Sequence, residues 1–166
     1  MRIIYVHHAL RDRKEIPTQE DGLKDLGKED AILTGKILKE ITVGKNIAGI
    51  FTSPYFRCKE TTRLINESLN VNVYEDERLN EYTEWDPNND KHETWVDLQI
   101  RLKEAIKDVV YKYNDDDVAI FVTSGVNIMA FISLAYRVAP SENTPGLWVA
   151  SCSPIGFDID KTHFEN

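Results

Sequence analysis

Four short apolar runs, each closing on polar residues and alternating with helix-patterned sequence, constrain the fold of this chain most. They are Ile3-Ile4-Tyr5-Val6, Ile47-Ala48-Gly49-Ile50-Phe51, the shorter and partly polar Val71 to Tyr74, and Val118-Ala119-Ile120-Phe121-Val122. Uninterrupted runs of β-branched and aromatic residues read as strands buried on both faces, a burial that requires helices on both sides of a sheet. With Leu147 to Ala150 and Ile155 to Ile159 as closing strands, the predicted order is β-loop-α-β-α-β-α-β-α-β-β. That order predicts an α/β fold, a three-layer α/β/α sandwich with a mostly parallel central sheet. A length of 166 residues predicts a single domain, 1–166, able to bury about two-thirds of its unfolded surface.

The helices are read from apolar spacing. One leads from Leu23 to about Ile41, with Lys36, Lys39 and Glu40 on its polar side and Leu33, Ile37, Leu38 and Ile41 on the other. A second begins near Tyr55, after Ser53-Pro54, and a third near His92 carries Trp95, Leu98, Leu102, Ala105, Ile106 and Val109 toward the core. A fourth spans Ile128 to Val138. The segments Leu10 to Gly22 and Tyr82 to Lys91 have no period and read as loops, and Pro140 to Pro145 reads as a linker.

Charge and composition exclude several classes of function. The formal net charge is −8, which argues against a general binder of nucleic acid or of an anionic membrane, since both need a basic face. A small phosphorylated ligand stays open, because Arg and His can cluster locally on an acidic protein. The apolar run near Met1 is too short for a secretory leader or a membrane span, so the expected location is the cytoplasm, with Cys58 and Cys152 as free thiols. Neither a Gly-x-Gly-x-x-Gly nor a Gly-x-x-x-x-Gly-Lys loop occurs, and no internal repeat is present.

Candidate chemistry lies where strands end, because open α/β sheets bind ligands beyond the carboxyl ends of their strands. His7 and His8 close the first run, and Thr123-Ser124-Gly125 closes the last. Arg57 falls in the first turn of the second helix, where it opposes the positive end of the helix dipole but suits an anion held by free N–H groups. Arg11 and Arg13 lie in the loop after His8 and are candidate phosphate contacts. A metal site made of His7, His8 and Glu81 is disfavoured, since adjacent strand residues point to opposite sides and no second His pair exists.

Five stretches in this order resemble the histidine phosphatase superfamily, which includes the cofactor-dependent phosphoglycerate mutases. His7-His8-Ala9 stands where the family has Arg-His-Gly, and Leu23 to Ala31 matches its Leu-Thr-x-x-Gly-x-x-Gln-Ala leader in spacing. Ser53-Pro54-Tyr55-Phe56-Arg57-Cys58-Lys59-Glu60-Thr61 matches its Ser-Pro-x-x-Arg-x-x-x-Thr fully. Leu79-Asn80-Glu81 matches Leu-x-Glu, and Thr123-Ser124-Gly125 stands where the family has Ser/Thr-His-Gly.

The resemblance implies that His8 is a nucleophile forming phosphohistidine, that Arg57 holds the phosphate, and that Glu81 protonates the leaving oxygen. It implies His7, Ser124 and Gly125 around the substrate, and neither cofactor nor metal. Two positions depart from the pattern, His7 for an arginine and Ser124 for a histidine, and Ala9 replaces the glycine. Histidine lacks the permanently charged fork of arginine, and a serine donates only one neutral hydrogen bond. Each change is expected to lower the rate by about 10²–10³. The implied function is a divergent phosphohydrolase of reduced activity on a small phosphate ester or a phosphoprotein. The alternative is an impaired member that binds a phosphorylated ligand or a protein partner. A mutase is less favoured, because the chain lacks long insertions to enclose a sugar phosphate.

Overall fold

The computed structural model describes residues 1–12, 20–82, 93–135 and 150–164. Its strands are β1 (Arg2–His7), β2 (Ile47–Thr52), β3 (Val73–Glu75), β4 (Val118–Thr123) and β5 (Pro154–Asp158). Its helices are α1 (Asp25–Ile41), α2 (Phe56–Leu69), α3 (Trp95–Lys112) and α4 (Gly125–Ala135), with short 3-10 turns at Glu77–Leu79 and Lys161–Phe164. The strands form one sheet in the order β3-β2-β4-β1-β5. β1 through β4 run parallel, and β5 pairs antiparallel with β1 at the edge.

Side-chain alternation along β1 separates the two cores. Ile3 and Tyr5 face α3 and α4, joining Leu98, Leu102, Ile106, Phe121, Ile128 and Phe131 in one cluster. Ile4 and Val6 face the opposite layer, with Ile50, Ile120, Val122, Leu38 of α1 and Ile65 of α2. These are the three layers that doubly buried strands demand. In parallel register His7 lies opposite Thr123 and Val122 opposite Thr52, so β1, β4 and β2 end side by side.

Several boundaries differ from the sequence reading, each for a local reason. α3 begins at Trp95 rather than near His92, because Thr94 caps it: its hydroxyl accepts the Asp97 N–H while the Asp97 carboxylate accepts the Thr94 N–H. α4 begins at Gly125, directly after β4, rather than at Ile128. β3 is Val73–Glu75, shifted from Val71 to Tyr74, because Asn66 takes both polar groups of the Val71 backbone.

The reading of α1 is corrected more deeply. Leu33, Ile37 and Ile41 are exposed, and the buried side is Gly27, Ala31, Thr34, Gly35 and Leu38. α1 lies so close to its neighbours that its inner face must be small: a Cβ on Gly35 would stand 2.6 Å from the Ile65 carbonyl oxygen of α2. The candidate strand at Leu147 to Ala150 falls outside the described residues except for Ala150, which is in no strand. The Pro140 to Pro145 linker and nearly all of the Tyr82 to Lys91 loop also lie outside them. No described helix is long and apolar enough to cross a membrane.

Candidate active site

β1 ends at His7, so His8 is the first residue beyond the sheet, its N–H still donating to the Thr123 carbonyl at 2.9 Å. Its ring is buried. Burial first, and then the charges of His7, Arg57 and Arg11, push its pKa down to about 3 against the opposing pull of a hydrogen bond to Ala9. His8 Nδ1 lies 2.9 Å from the Ala9 carbonyl oxygen, which can only accept. A neutral imidazole has one N–H, so that proton is on Nδ1 and the lone pair is on Nε2. The fold therefore holds His8 as a neutral base with its tautomer set.

Thr61 ties this corner to α2. Its hydroxyl accepts the Ala9 N–H at 3.0 Å and donates to the Arg57 carbonyl at 2.7 Å. Arg57 is the second residue of α2, a helix with no acidic residue in its first turn and no side-chain cap at Tyr55. Its guanidinium lies over the Tyr55 ring, 4.8 Å from the centroid. Its side chain is 3% exposed, and Nη2 pairs with Oε2 of Glu81, whose side chain is 32% exposed. A group held by Arg57 thus lies beside a carboxyl that reaches solvent.

The remaining candidates arrive from three directions. The His7 ring packs edge-on against His8, with centroids 4.5 Å apart. This corrects the expectation that the two histidines point apart: alternation holds within a strand, and His8 has left it. The same His7 ring lies on Gly125, where an added Cβ would stand 3.2 Å from Cε1. Ser124 is buried at the start of α4, its hydroxyl accepting the Asn127 N–H at 3.4 Å. Arg11 pairs with the buried carboxylate of Asp21 at 3.7 Å, and its charge acts on the His8 ring. Arg13 lies outside the described residues. Among the described residues no group of three or more His, Cys, Asp or Glu is placed to hold a metal ion.

The family model described as the histidine phosphatase superfamily (branch 1) matches residues 8–88, from His8 through Arg57 and Glu81. The match spans just under half of the chain, and over that segment the chain is similar to the histidine phosphatase superfamily.

Solved structures extend the likeness beyond that segment. A protein titled Bacillus stearothermophilus YhfR superposes with a TM-score of 0.79 at 20% identity, covering 96% of this chain and 91% of its own. A mycobacterial glucosyl-3-phosphoglycerate phosphatase gives 0.74 at 18% identity, covering 93% and 88%. A protein histidine phosphatase, SixA, complexed with tungstate, gives 0.71 at 13% identity, covering 98% and 91%. At these identities the likeness is one of fold. A comparison with curated proteins found no match.

Within this fold the site has supports whose roles no motif declares. Thr61 is one. Asn127 is another, a buried amide whose only sequence signal is that it is polar inside the apolar run Val126 to Ile132. A third is Cys152, whose N–H donates to the His7 carbonyl at 3.0 Å, holding the end of β1 from the far edge of the sheet.

Proposed function

We propose that this chain is a phosphohydrolase of reduced activity that cleaves a phosphate monoester, small or protein-borne, through a phosphohistidine on His8. The observation that carries the reading is the neutral His8 ring, with its proton on Nδ1 and its lone pair on Nε2, set among Arg57, Arg11 and His7. Nε2 attacks phosphorus while the ester P–O bond breaks, and the leaving oxygen takes a proton from Glu81. The bond from Nδ1–H to the Ala9 carbonyl supports the positive charge that the ring gains. Water, giving its proton to the Glu81 carboxylate, then attacks phosphorus and the N–P bond breaks. Arg57 serves as the charged donor to the equatorial oxygens, since phosphoryl transfer is catalysed mainly by positioning and electrostatics. Its present pairing with Glu81 puts the acid beside the anion it holds. Free, buried thiols at Cys58 and Cys152 suit a reducing cytoplasm, where we place the protein.

A second reading, a pocket that binds a phosphorylated ligand or a protein partner without turnover, is favoured by one observation. Ser124 is buried, and a hydroxyl that accepts the Asn127 N–H has one neutral O–H to give, so the position that carries a histidine in the family offers a phosphate no charge. One experiment separates the two. Aryl phosphate hydrolysis is measured between pH 5 and 8 for the wild type, His8→Ala, and His7→Arg combined with Ser124→His. Slow turnover that disappears in His8→Ala, and rises 10²-fold or more in the double reversion, is the expected result. Turnover unchanged in His8→Ala would sink the phosphohistidine route. Vanadate that raises Tm in the wild type without any turnover would favour the binding pocket.

A further inference from the structure

Glu81 follows a short segment, Leu79-Asn80, that is held by buried polar groups from three elements. Thr123, the last residue of β4, donates its hydroxyl to the Leu79 carbonyl at 2.7 Å. Ser53, just after β2, donates its hydroxyl to the Asn80 side-chain carbonyl at 2.7 Å. Asn127, in the first turn of α4, does most: Nδ2 lies 3.0 Å from the Leu79 carbonyl, 2.8 Å from the Asn80 carbonyl and 2.8 Å from Thr123 Oγ1.

That geometry sets the orientation of the amide. Turned over, it would place its oxygen against two carbonyl oxygens that can only accept. As it stands, Asn127 is fully buried and its Oδ1 has no hydrogen-bond partner among the described residues. A buried acceptor left unmatched costs stability, so the amide is not explained as a simple contribution to folding. What it does achieve is to tie the backbone entering Glu81 to the helix that starts beneath His7.

We propose that Asn127 is a positioning residue: by gripping the two carbonyls that precede Glu81, it sets that carboxyl beside Arg57 and against the oxygen that leaves. The role of Glu81 as proton donor rests on the hydrolase reading above. Asn127 touches neither phosphate nor leaving group, and it acts through the backbone of Leu79 and Asn80.

The test compares Asn127→Leu, which keeps the size and removes the donors, with Asn127→Ser, which is small enough to fold if the first is not. Each is assayed on an alkyl phosphate, whose leaving oxygen needs a proton, and on p-nitrophenyl phosphate, whose phenolate leaves without one. Positioning predicts that kcat/KM on the alkyl ester, which reports formation of the phosphohistidine and not its hydrolysis, falls roughly tenfold to a hundredfold, part of the ~10²–10⁴ that a placed acid contributes. The aryl ester loses much less, and neither variant adds to the loss already present in Glu81→Gln. An equal loss on both esters overturns the proposal and leaves the hydrolase reading intact. If the wild type turns over neither ester, the hydrolase reading fails, and positioning is read from the carboxyl carbon resonance of Glu81. Movement of that resonance in the variants, with the Glu60 signal unchanged, supports the grip; a fixed Glu81 signal overturns it.

Discussion

At the scale of single residues, the site depends on small polar groups that bond in two directions. Thr61 is the simplest case, since one hydroxyl accepts from Ala9 and donates to Arg57. Thr61→Val keeps the shape and removes both bonds, leaving the Ala9 N–H buried without its acceptor. The expected loss is about 1–3 kcal/mol of folding stability, read from urea unfolding. Because the Ala9 carbonyl also sets the tautomer of His8, turnover should fall with it. A variant as stable as the wild type would mean that Ala9 finds another acceptor. His8 and Arg57 were visible in the sequence because histidine and arginine are conspicuous at strand and helix ends. Thr61 stands inside the Ser-Pro-x-x-Arg-x-x-x-Thr motif and Asn127 inside an apolar run, and neither declares a role there, because a hydroxyl or an amide takes its meaning from what stands within 3 Å of it.

At the scale of elements, the contact between α1 and α2 shows how packing distance overrides hydrophobic pattern. The large apolar residues Leu33, Ile37 and Ile41 point outward, and glycine, alanine and threonine form the inner face. Close approach explains this, since any Cβ on Gly35 would press on the backbone of Ile65, which cannot rotate away as a side chain would. Gly27 repeats the arrangement, since its Cβ would collide with the Leu10 carbonyl oxygen, and so docks α1 onto the segment that follows His8. Gly35→Ala is therefore expected to destabilise by about 1–3 kcal/mol in thermal or urea unfolding, although alanine is the better helix former by ~1 kcal/mol. A stabilising Gly35→Ala would show that α1 can move off α2 at little cost.

At the scale of the whole molecule, burying His8 as a neutral ring makes stability depend on pH. Its folded pKa is depressed to about 3, while the unfolded chain protonates it near the ordinary value of about 6.5. Above pH 6.5 neither state carries the proton and His8 contributes no pH dependence. Between about pH 6.5 and 3 only the unfolded state binds it, so stability falls as pH falls, by about 1.4 kcal/mol per unit from this group. Below pH 3 both states bind it and the loss is complete. His8→Gln removes that slope. The difference between wild-type and variant unfolding free energies, followed from pH 7 to 4, isolates it, since the carboxylates largely cancel. Parallel pH profiles would mean that His8 protonates in place.

The sequence by itself determined the α/β class, the parallel central strands and the likeness to the superfamily, because buried strands and a motif such as Ser53-Pro54 to Arg57 and Thr61 are local patterns. It also located the ends of β1 and β4, where His7, His8, Ser124 and Gly125 stand. Only the tertiary structure decided that His7 leans on His8 and Gly125, that Arg57 pairs with Glu81, and that α1 turns its large apolar residues outward. It alone revealed Asn127 gripping Leu79 and Asn80 from 47 or 48 residues away in the chain. The physical reason is range: strand and helix patterns come from neighbouring residues, whereas a charge, a tautomer or a buried amide is set by groups that meet only after the sheet has assembled.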